Sequence, residues 1–250
     1  MWWTNSAAYA AGGIANILEK YMLNTELIIV LDVDTRADAL AAVSACDACT
    51  WFKIGAQLFT RLGPDIVRDV QKKGKQVFLD LKYHDIPNTV SNAAKAAADL
   101  GAGLFTVHAS GGSAMIEAAR VAVQGSDTRI LAVTILTSLN EATLRDELNI
   151  QETPEAAVCR LAKLAVDAGA HGIVCSPREL GRLRDTLGDE PLIVTPGVRP
   201  AWAMKDDQQR VMTPREAAQG GASMIVVGRP ILKHPEPARA VEMIIEEMQP

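Results

Sequence analysis

The sequence between residues 77 and 89 reads Val77-Phe78-Leu79-Asp80-Leu81-Lys82-Tyr83-His84-Asp85-Ile86-Pro87-Asn88-Thr89. It begins as an apolar run typical of a β-strand and ends in a turn closed by Pro87 and Asn88. In a regular strand, residues two apart share a face, so Asp80 and Lys82 are predicted to project the same way. Asp85 lies beyond the strand, in the loop. Because burying charges is costly unless they are paired, the stretch indicates either a structural salt bridge at a strand end or a functional cluster.

The rest of the chain repeats this strand-like pattern. Short apolar runs recur at a spacing of roughly 25 residues, with helix-like segments between them. The predicted strands are 27–33, 51–54, 76–81, 104–108, 130–134, 172–175, 192–195 and 224–227. The predicted helices are 36–45, 64–73, 89–100, 113–123, 154–168, 177–187, 214–219 and 235–248. This alternation predicts an α/β protein with a parallel sheet, and eight units predict a single (β/α)8 TIM barrel, for which about 250 residues is typical. The alternative is an open doubly wound sheet, which is disfavoured because no G-x-G-x-x-G motif follows the first strand.

The first 25 residues lie outside this alternating pattern. They are predicted to be an N-terminal extension or leader, and the barrel domain is predicted over residues 26–250. The start lacks the basic residues and apolar core of a secretory signal, and no apolar run approaches the ~20 residues of a membrane span. The formal net charge is −5 and no basic block occurs, so neither nucleic acid nor a membrane is expected as a partner.

The cysteines give no sign of a metal site. Cys46 and Cys49 have the spacing of metal ligands, but no second such pair and no nearby histidine completes a zinc site. Free thiols are the default in a reducing cytosol. We therefore predict a cytoplasmic protein that holds no metal.

A barrel fold places the active site at the carboxyl ends of the strands, and charged residues collect at those ends. Asp32 follows the first strand, Lys53 lies in the second, and Asp80 and Lys82 lie in the third. These four side chains are predicted to converge on one mouth. Because charges within apolar runs are costly to bury, their shared position favours a catalytic cluster over a structural ion pair.

The last two loops predict a phosphate site. In barrels, the loops after strands seven and eight often bind phosphate. Here they supply a glycine followed by an arginine twice: Gly197 with Arg199, and Gly228 with Arg229. Glycine lets the backbone approach an oxyanion, and arginine is a planar, bidentate donor. The long polar segment 200–211 is predicted to be a lid from which Gln208 reaches the ligand, with a disordered insertion as the alternative.

These motifs together resemble those of a known family. The run F-L-D-L-K-Y-H-D-I-P-N-T at residues 78–89 is similar to the signature of orotidine 5′-phosphate decarboxylases of the bacterial type. The resemblance extends to 31–32, 52–55, 107–112, 133–138, 195–200 and 227–230, and covers roughly residues 26 to 248. The D-x-K-x-x-D part is less specific, because related phosphosugar decarboxylases and synthases of the same barrel superfamily share it.

The resemblance implies a role for each candidate residue. It implies that an alternating charged tetrad forms from Lys53, Asp80, Lys82 and Asp85. Asp85 and Thr89 would come from the second subunit of a homodimer with composite active sites. The residues implied to contact the ribose, the pyrimidine and the phosphate are, in that order, Asp32; Thr137 and Ser138; and Gln208, Gly228 and Arg229. Arg199 would position the lid.

The implied reaction converts orotidine 5′-phosphate to UMP and CO2 in de novo pyrimidine biosynthesis. Loss of CO2 from C6 leaves an electron pair in the ring plane, where no carbonyl group is conjugated with it. The sequence shows no cofactor motif that would supply an electron sink, so no cofactor is expected and the stabilisation must come from a preorganised cation. Lys82 suits that role, and its ammonium group can then protonate C6.

Two alternatives stay open on the sequence alone. One is a metal-dependent phosphosugar decarboxylase or synthase of the same barrel family, such as a keto-gulonate phosphate decarboxylase. The other is a barrel that binds a phosphorylated ligand without catalysis. The three hypotheses differ in whether orotidine 5′-phosphate is turned over and whether a divalent metal is needed.

Overall fold

The computed structural model describes residues 25–203 and 212–249. Eight parallel strands close into a barrel in chain order, since β1 pairs with both β2 and β8. Their bounds are β1 Glu26–Val30, β2 Trp51–Gly55, β3 Gln76–Tyr83, β4 Leu104–His108, β5 Arg129–Val133, β6 Gly172–Val174, β7 Leu192–Pro196 and β8 Met224–Val227. The predicted (β/α)8 barrel is confirmed, and the open doubly wound sheet is wrong.

Helices follow the strands and cover the outside of the barrel. Their bounds are α1 Arg36–Ala45, α2 Ala56–Leu62, α3 Asp65–Gln71, α4 Pro87–Asp99, α5 Ser113–Ala122, α6 Glu141–Asp146, α7 Pro154–Asp167, α8 Leu180–Leu187, α9 Pro214–Gln219, α10 Arg229–Leu232 and α11 Pro237–Met248. Three 3-10 turns occur at Ala109–Gly111, Pro177–Glu179 and Ala201–Ala203. In the parts of the chain that the structure describes, no helix is long and apolar enough to cross a bilayer.

Capping residues visible in the sequence begin several of these helices. Thr153 precedes Pro154 at the start of α7, and its side chain accepts a hydrogen bond from the backbone of Ala156. Thr213 and Glu216 form a capping box at the start of α9. Three short helices were not predicted: α2, α6 and α10, of 7, 6 and 4 residues.

The inside of the barrel is apolar up to the level of the strand ends. The side chains that fill it are Ile28, Val30, Phe78, Leu104, Leu131, Val194, Met224 and Val226. The next inward position along β3 after Phe78 is Asp80, and along β4 the next after Leu104 is Thr106. The apolar filling therefore changes to polar groups at the carboxyl end of the barrel, where the site was predicted.

Strand β3 is irregular beside the predicted cluster. Leu79 pairs with Phe105, but the next paired residue, Tyr83, lies opposite Val107, so four steps along β3 match two along β4. Lys82 lies within this bulge and has a φ of 52°. A left-handed conformation costs a residue with a side chain about 1–2 kcal/mol. The expectation of a regular strand is wrong at Lys82. Bulges of this kind re-aim side chains and are common next to active sites.

Candidate active site

A cavity of about 450 Å³ opens at the carboxyl ends of the strands. Its charged lining consists of Asp32, Lys53, Asp80, Lys82, Arg199 and Arg229. These four cations and two carboxylates give the cavity a net charge of about +2, although the chain as a whole has a formal net charge of −5. A larger cavity of about 790 Å³ lies at the opposite end of the barrel, against the first residues of β3 and β5. We assign the site to the smaller cavity, because barrel chemistry takes place at the carboxyl ends and the paired charges lie there.

Asp80 holds two lysines at the bottom of this cavity. Its Oδ2 lies 3.1 Å from Lys53 Nζ, and its Oδ1 accepts a hydrogen bond of 2.7 Å from Lys82 Nζ. The side chain of Asp80 is 10% exposed, that of Lys53 14% and that of Lys82 36%, so Lys82 is the ammonium group most open to a ligand. Burial opposes the charged form of Asp80, but Lys53 and Lys82 outweigh it and lower the pKa of the carboxyl below its usual value. Asp80 is therefore a carboxylate at neutral pH, and we refer to Asp80, Lys53 and Lys82 together as the array.

Two further residues shape the array, and no sequence motif assigned a role to either of them. Thr106 donates a hydrogen bond of 2.9 Å from its hydroxyl to Asp80 Oδ1. Gly55 lies in register with Asp80, and a Cβ atom at this glycine would lie 3.1 Å from Lys53 Nζ. A side chain at position 55 would therefore crowd the Lys53 ammonium group. One threonine and one glycine at strand positions give no signal on their own in the sequence.

His108 lies beside the array at the end of β4. Its ring packs against His84, with 5.4 Å between the ring centroids. Burial, the neighbouring His84 and Lys82 lower the pKa of His108 below its usual value. His108 is therefore neutral at neutral pH, and the positive charge at the bottom of the cavity comes from the two lysines.

The predicted phosphate residues line the other side of the same cavity, and they are Gly197, Arg199, Gly228 and Arg229. The backbone N–H of Arg199 donates a hydrogen bond of 3.0 Å to the carbonyl of Met212, so the residues on either side of segment 200–211 lie next to each other. Gln208, which was predicted to reach the ligand, lies outside the described residues, as does most of the predicted lid. Asp32 and Thr137 also line the cavity.

Three candidates do not reach the cavity within this chain. Asp85 and Thr89 are exposed, and Thr89 lies in the first turn of α4 rather than in the loop with Asp85. The Asp85 carboxylate accepts a hydrogen bond of 2.6 Å from the backbone of Ile86. Ser138 is exposed and does not line the cavity, unlike its neighbour Thr137. The structure thus brings together three of the four members of the implied tetrad.

Cys46 and Cys49 lie far from this chemistry, in the core between the sheet and the helices. Both are free thiols, and burial raises the pKa of each to about 11. Within residues 25–203 and 212–249, no group of three or more His, Cys, Asp and Glu side chains is placed to hold a metal ion.

The fold and the cavity define a (β/α)8-barrel protein with a cationic site at the carboxyl ends of its strands. The chain belongs to the Orotidine 5'-phosphate decarboxylase / HUMPS family, whose family model matches residues 25–244. The orotidine 5'-phosphate decarboxylase of Heliobacterium modesticaldum is 46% identical over 230 residues, which cover 89% of this chain and 95% of that protein. The one from an Anaeromyxobacter species is 56% identical over 192 residues, which cover 77% of this chain and 84% of that protein.

A solved structure agrees with these relatives. The crystal structure of orotidine 5'-phosphate decarboxylase from Lactobacillus acidophilus superposes with a TM-score of 0.81 at 40% sequence identity. The match covers 90% of this chain and 100% of that chain. The predicted family is therefore confirmed.

Proposed function

We propose that the chain is a carboxy-lyase that converts orotidine 5′-phosphate to UMP and CO2 without a cofactor. The observation that carries the proposal is the array in which Asp80 holds Lys53 and Lys82 where the apolar barrel interior ends. A nucleotide with a carboxylate at one end and a phosphate at the other fits a cavity with cations on both sides. The names of the relatives in the family support the same substrate.

In the proposed reaction the carbon–carbon bond between C6 and the carboxylate breaks, and its electron pair stays on C6. That pair lies in the ring plane, so a fixed positive charge beside C6 has to stabilise it. The Lys82 ammonium group supplies the charge and then donates its proton to C6, which gives UMP. Asp80 and Lys53 hold Lys82 in place before the substrate arrives, so little reorganisation is needed during the reaction.

The remaining candidate residues are assigned to different parts of the substrate along the cavity. We assign the ribose hydroxyls to Asp32 and the pyrimidine to Thr137, both of which line the cavity. The resemblance to the family also implies a pyrimidine contact for Ser138, which is exposed next to Thr137. The phosphate is assigned to Gly228, Arg229 and Gln208, with Arg199 at the base of segment 200–211. Because these groups contact parts of the substrate that do not react, their binding energy serves to hold the pyrimidine against Lys82.

Asp80 distinguishes this reaction from the metal-dependent chemistry of related barrels. Both of its carboxylate oxygens already accept from ammonium groups, at 3.1 Å and 2.7 Å. A divalent cation at Asp80 would have to displace a lysine and would be repelled by the other. The arrangement therefore favours decarboxylation by a lysine over an enediolate held by a metal ion.

The test is turnover of orotidine 5′-phosphate in the presence of EDTA. We expect the absorbance of the substrate to fall, UMP to appear, and the rate to be the same with and without EDTA. A rate abolished by EDTA and restored by Mg²⁺ would support the metal-dependent alternative. Tight binding of the nucleotide without any product would support the non-catalytic alternative.

We further propose that the protein works as a two-fold homodimer in which Asp85 completes the partner's array. Asp85 lies at the surface, and next to it Ile86 is 66% exposed, the largest exposed fraction among the large apolar side chains of the described residues. Thr89 is exposed in the same region. In a two-fold dimer each subunit lends the same loop to the other, so one contact buries Ile86 and supplies both sites with the fourth charge.

Mixing two inactive variants tests the composite site. Lys82→Ala and Asp85→Ala are each expected to be inactive alone, and they are mixed after dissociation and then reassociated. Random pairing makes about half the dimers mixed, and in each of these one site combines intact Lys82 with intact Asp85, so roughly a quarter of all sites should regain activity.

A matched mixture controls for this recovery. Lys53 and Lys82 lie in the same chain, so mixing Lys53→Ala with Lys82→Ala should restore nothing. If subunit exchange is shown and the Lys82→Ala/Asp85→Ala mixture also stays inactive, Asp85 acts within its own chain and the composite site is wrong.

We also place the protein in the cytoplasm. The support is that Cys46 and Cys49 are free thiols, as is usual in a reducing compartment. Fractionation of cells that express the chain, with activity assayed in each fraction, tests this placement.

A further inference from the structure

We propose that Thr106 is a positioning residue, whose hydroxyl sets the places of Asp80 and Lys82 together. The inference rests on the proposed decarboxylase function and adds a residue to its machinery. Thr106 is fully buried at the centre of β4, and it points into the barrel one step above the apolar filling. Its side chain contacts the array, while its own backbone is held in the sheet, in register with Leu131 of β5.

The hydroxyl of Thr106 makes two hydrogen bonds at once. A threonine hydroxyl has one proton to donate and can accept from other donors. Asp80 Oδ1 is a carboxylate oxygen and only accepts, so the proton of Thr106 points to it, over 2.9 Å. Thr106 Oγ1 in turn accepts a hydrogen bond of 2.9 Å from the backbone N–H of Lys82. One hydroxyl therefore bridges the carboxylate of one residue and the backbone of the other.

The backbone of Lys82 depends on this hydroxyl. In a regular parallel pair, the N–H groups of β3 that face β4 would bond to backbone carbonyls. The bulge between Leu79 and Tyr83 breaks this ladder, and the N–H of Lys82 bonds to the Thr106 side chain instead. Since Lys82 has a φ of 52°, which a side-chain-bearing residue rarely adopts, the hydroxyl holds a conformation that the ladder does not support.

The carboxylate of Asp80 is oriented by the same group. Its Oδ1 accepts from both Thr106 and Lys82 Nζ, while Oδ2 faces Lys53. The Thr106 hydroxyl therefore fixes which oxygen faces which lysine. Without the Thr106 hydroxyl, the carboxylate can rotate and Lys82 can leave its left-handed conformation. Each of these changes shifts the Lys82 ammonium group relative to C6 of the substrate. A displacement of about 1 Å at a reacting group can cost on the order of 100-fold in rate.

The test compares Thr106→Val with Thr106→Ser. Valine keeps the shape of threonine but removes the hydroxyl, whereas serine keeps the hydroxyl. We expect Thr106→Val to lower kcat by about 10- to 100-fold, because the ammonium group is displaced, and to change KM and the affinity for UMP by less than about 3-fold, because the ribose and phosphate contacts are unaffected. Thr106→Ser should retain kcat within about 3-fold of the wild type.

Thr195 offers a matched control. It is also a fully buried strand threonine, and its hydroxyl donates a hydrogen bond of 3.0 Å to the backbone of Cys175, which is not a member of the array. Thr195→Val therefore loses a buried hydroxyl of the same kind, and kcat should stay near that of the wild type. The contrast between the two valine variants separates the effect on the array from a general loss of stability.

Three results would overturn the inference. The first is a folded Thr106→Val variant with kcat within about 3-fold of the wild type. The second is a Thr106→Ser variant as slow as Thr106→Val, because that result would assign the effect to packing. If Thr106→Val does not fold, Thr106→Ala carries the same test, with the same loss of kcat expected. The third is a wild type without turnover of orotidine 5′-phosphate, which would overturn the proposed function and this inference with it. The first two leave the proposed function standing.

Discussion

The variant Lys82→Ala is expected to lose at least about 100-fold in kcat for orotidine 5′-phosphate, since a positioned general acid typically contributes that much or more. The loss should exceed this value if Lys82 also stabilises the carbanion, because the two roles fall on the same ammonium group. Affinity for UMP should remain close to that of the wild type, since the phosphate contacts lie on the other side of the cavity. Single-turnover rates and UMP titration measure the two quantities separately.

Lys75→Ala is the matched control for this loss. Lys75 lies just before β3, and its Nζ is 2.9 Å from Asp47, so this variant also breaks a lysine–aspartate pair close to the same strand. Its kcat should be close to that of the wild type. Retention of more than about a tenth of the activity by Lys82→Ala would remove Lys82 from the role of proton donor.

The variant Arg229→Ala is expected to raise KM and to lower kcat/KM for orotidine 5′-phosphate by about 10- to 100-fold, which corresponds to the loss of a hydrogen bond between charged groups. Orotidine, which lacks the phosphate, should be processed almost equally by the variant and the wild type. The reason is that the guanidinium group would contact only the phosphate, whose binding energy holds the pyrimidine in place.

Lys233→Ala controls for a general effect of positive charge. Lys233 follows Arg229 by one helical turn and lies in an adjacent depression, but it does not line the cavity. Its removal should leave kcat/KM within about 3-fold of the wild type, because exposed charges contribute little when they make no direct contact. An equal loss on orotidine and on its phosphate would show that Arg229 serves the fold instead.

The sequence predicted the barrel because its signals are local and repeat eight times. Apolar runs located every strand to within a few residues, and threonine followed by proline marked helix starts such as Thr153 and Thr213. The position of Asp80 and Lys82 near a strand end was enough to place them at the mouth, since parallel strands of a barrel all end on the same side. The contact between their side chains does not follow from strand spacing alone, because Lys82 lies in the bulge with a left-handed backbone.

The features that the sequence could not supply depend on pairing between strands. The bulge in β3 is a mismatch of register with β4, and no residue within the sequence of β3 indicates it. Thr106 acquires its importance only through that mismatch, because the bulge presents the backbone of Lys82 to its hydroxyl. Similarly, Asp85 and Thr89 face solvent in one chain, so their implied roles depend on a second copy and stay predictions.

The left-handed backbone of Lys82 creates a trade-off between thermal stability and catalysis at this position. Glycine adopts such a φ freely, and a change to glycine would relieve about 1–2 kcal/mol of backbone strain. Because Asp80 would still be paired with Lys53, selection of a variant library for thermal stability alone would favour replacement of Lys82, the residue with the largest proposed share in the chemistry. Engineering of a more thermostable variant should keep Lys82 unchanged and introduce stabilising substitutions elsewhere in the barrel.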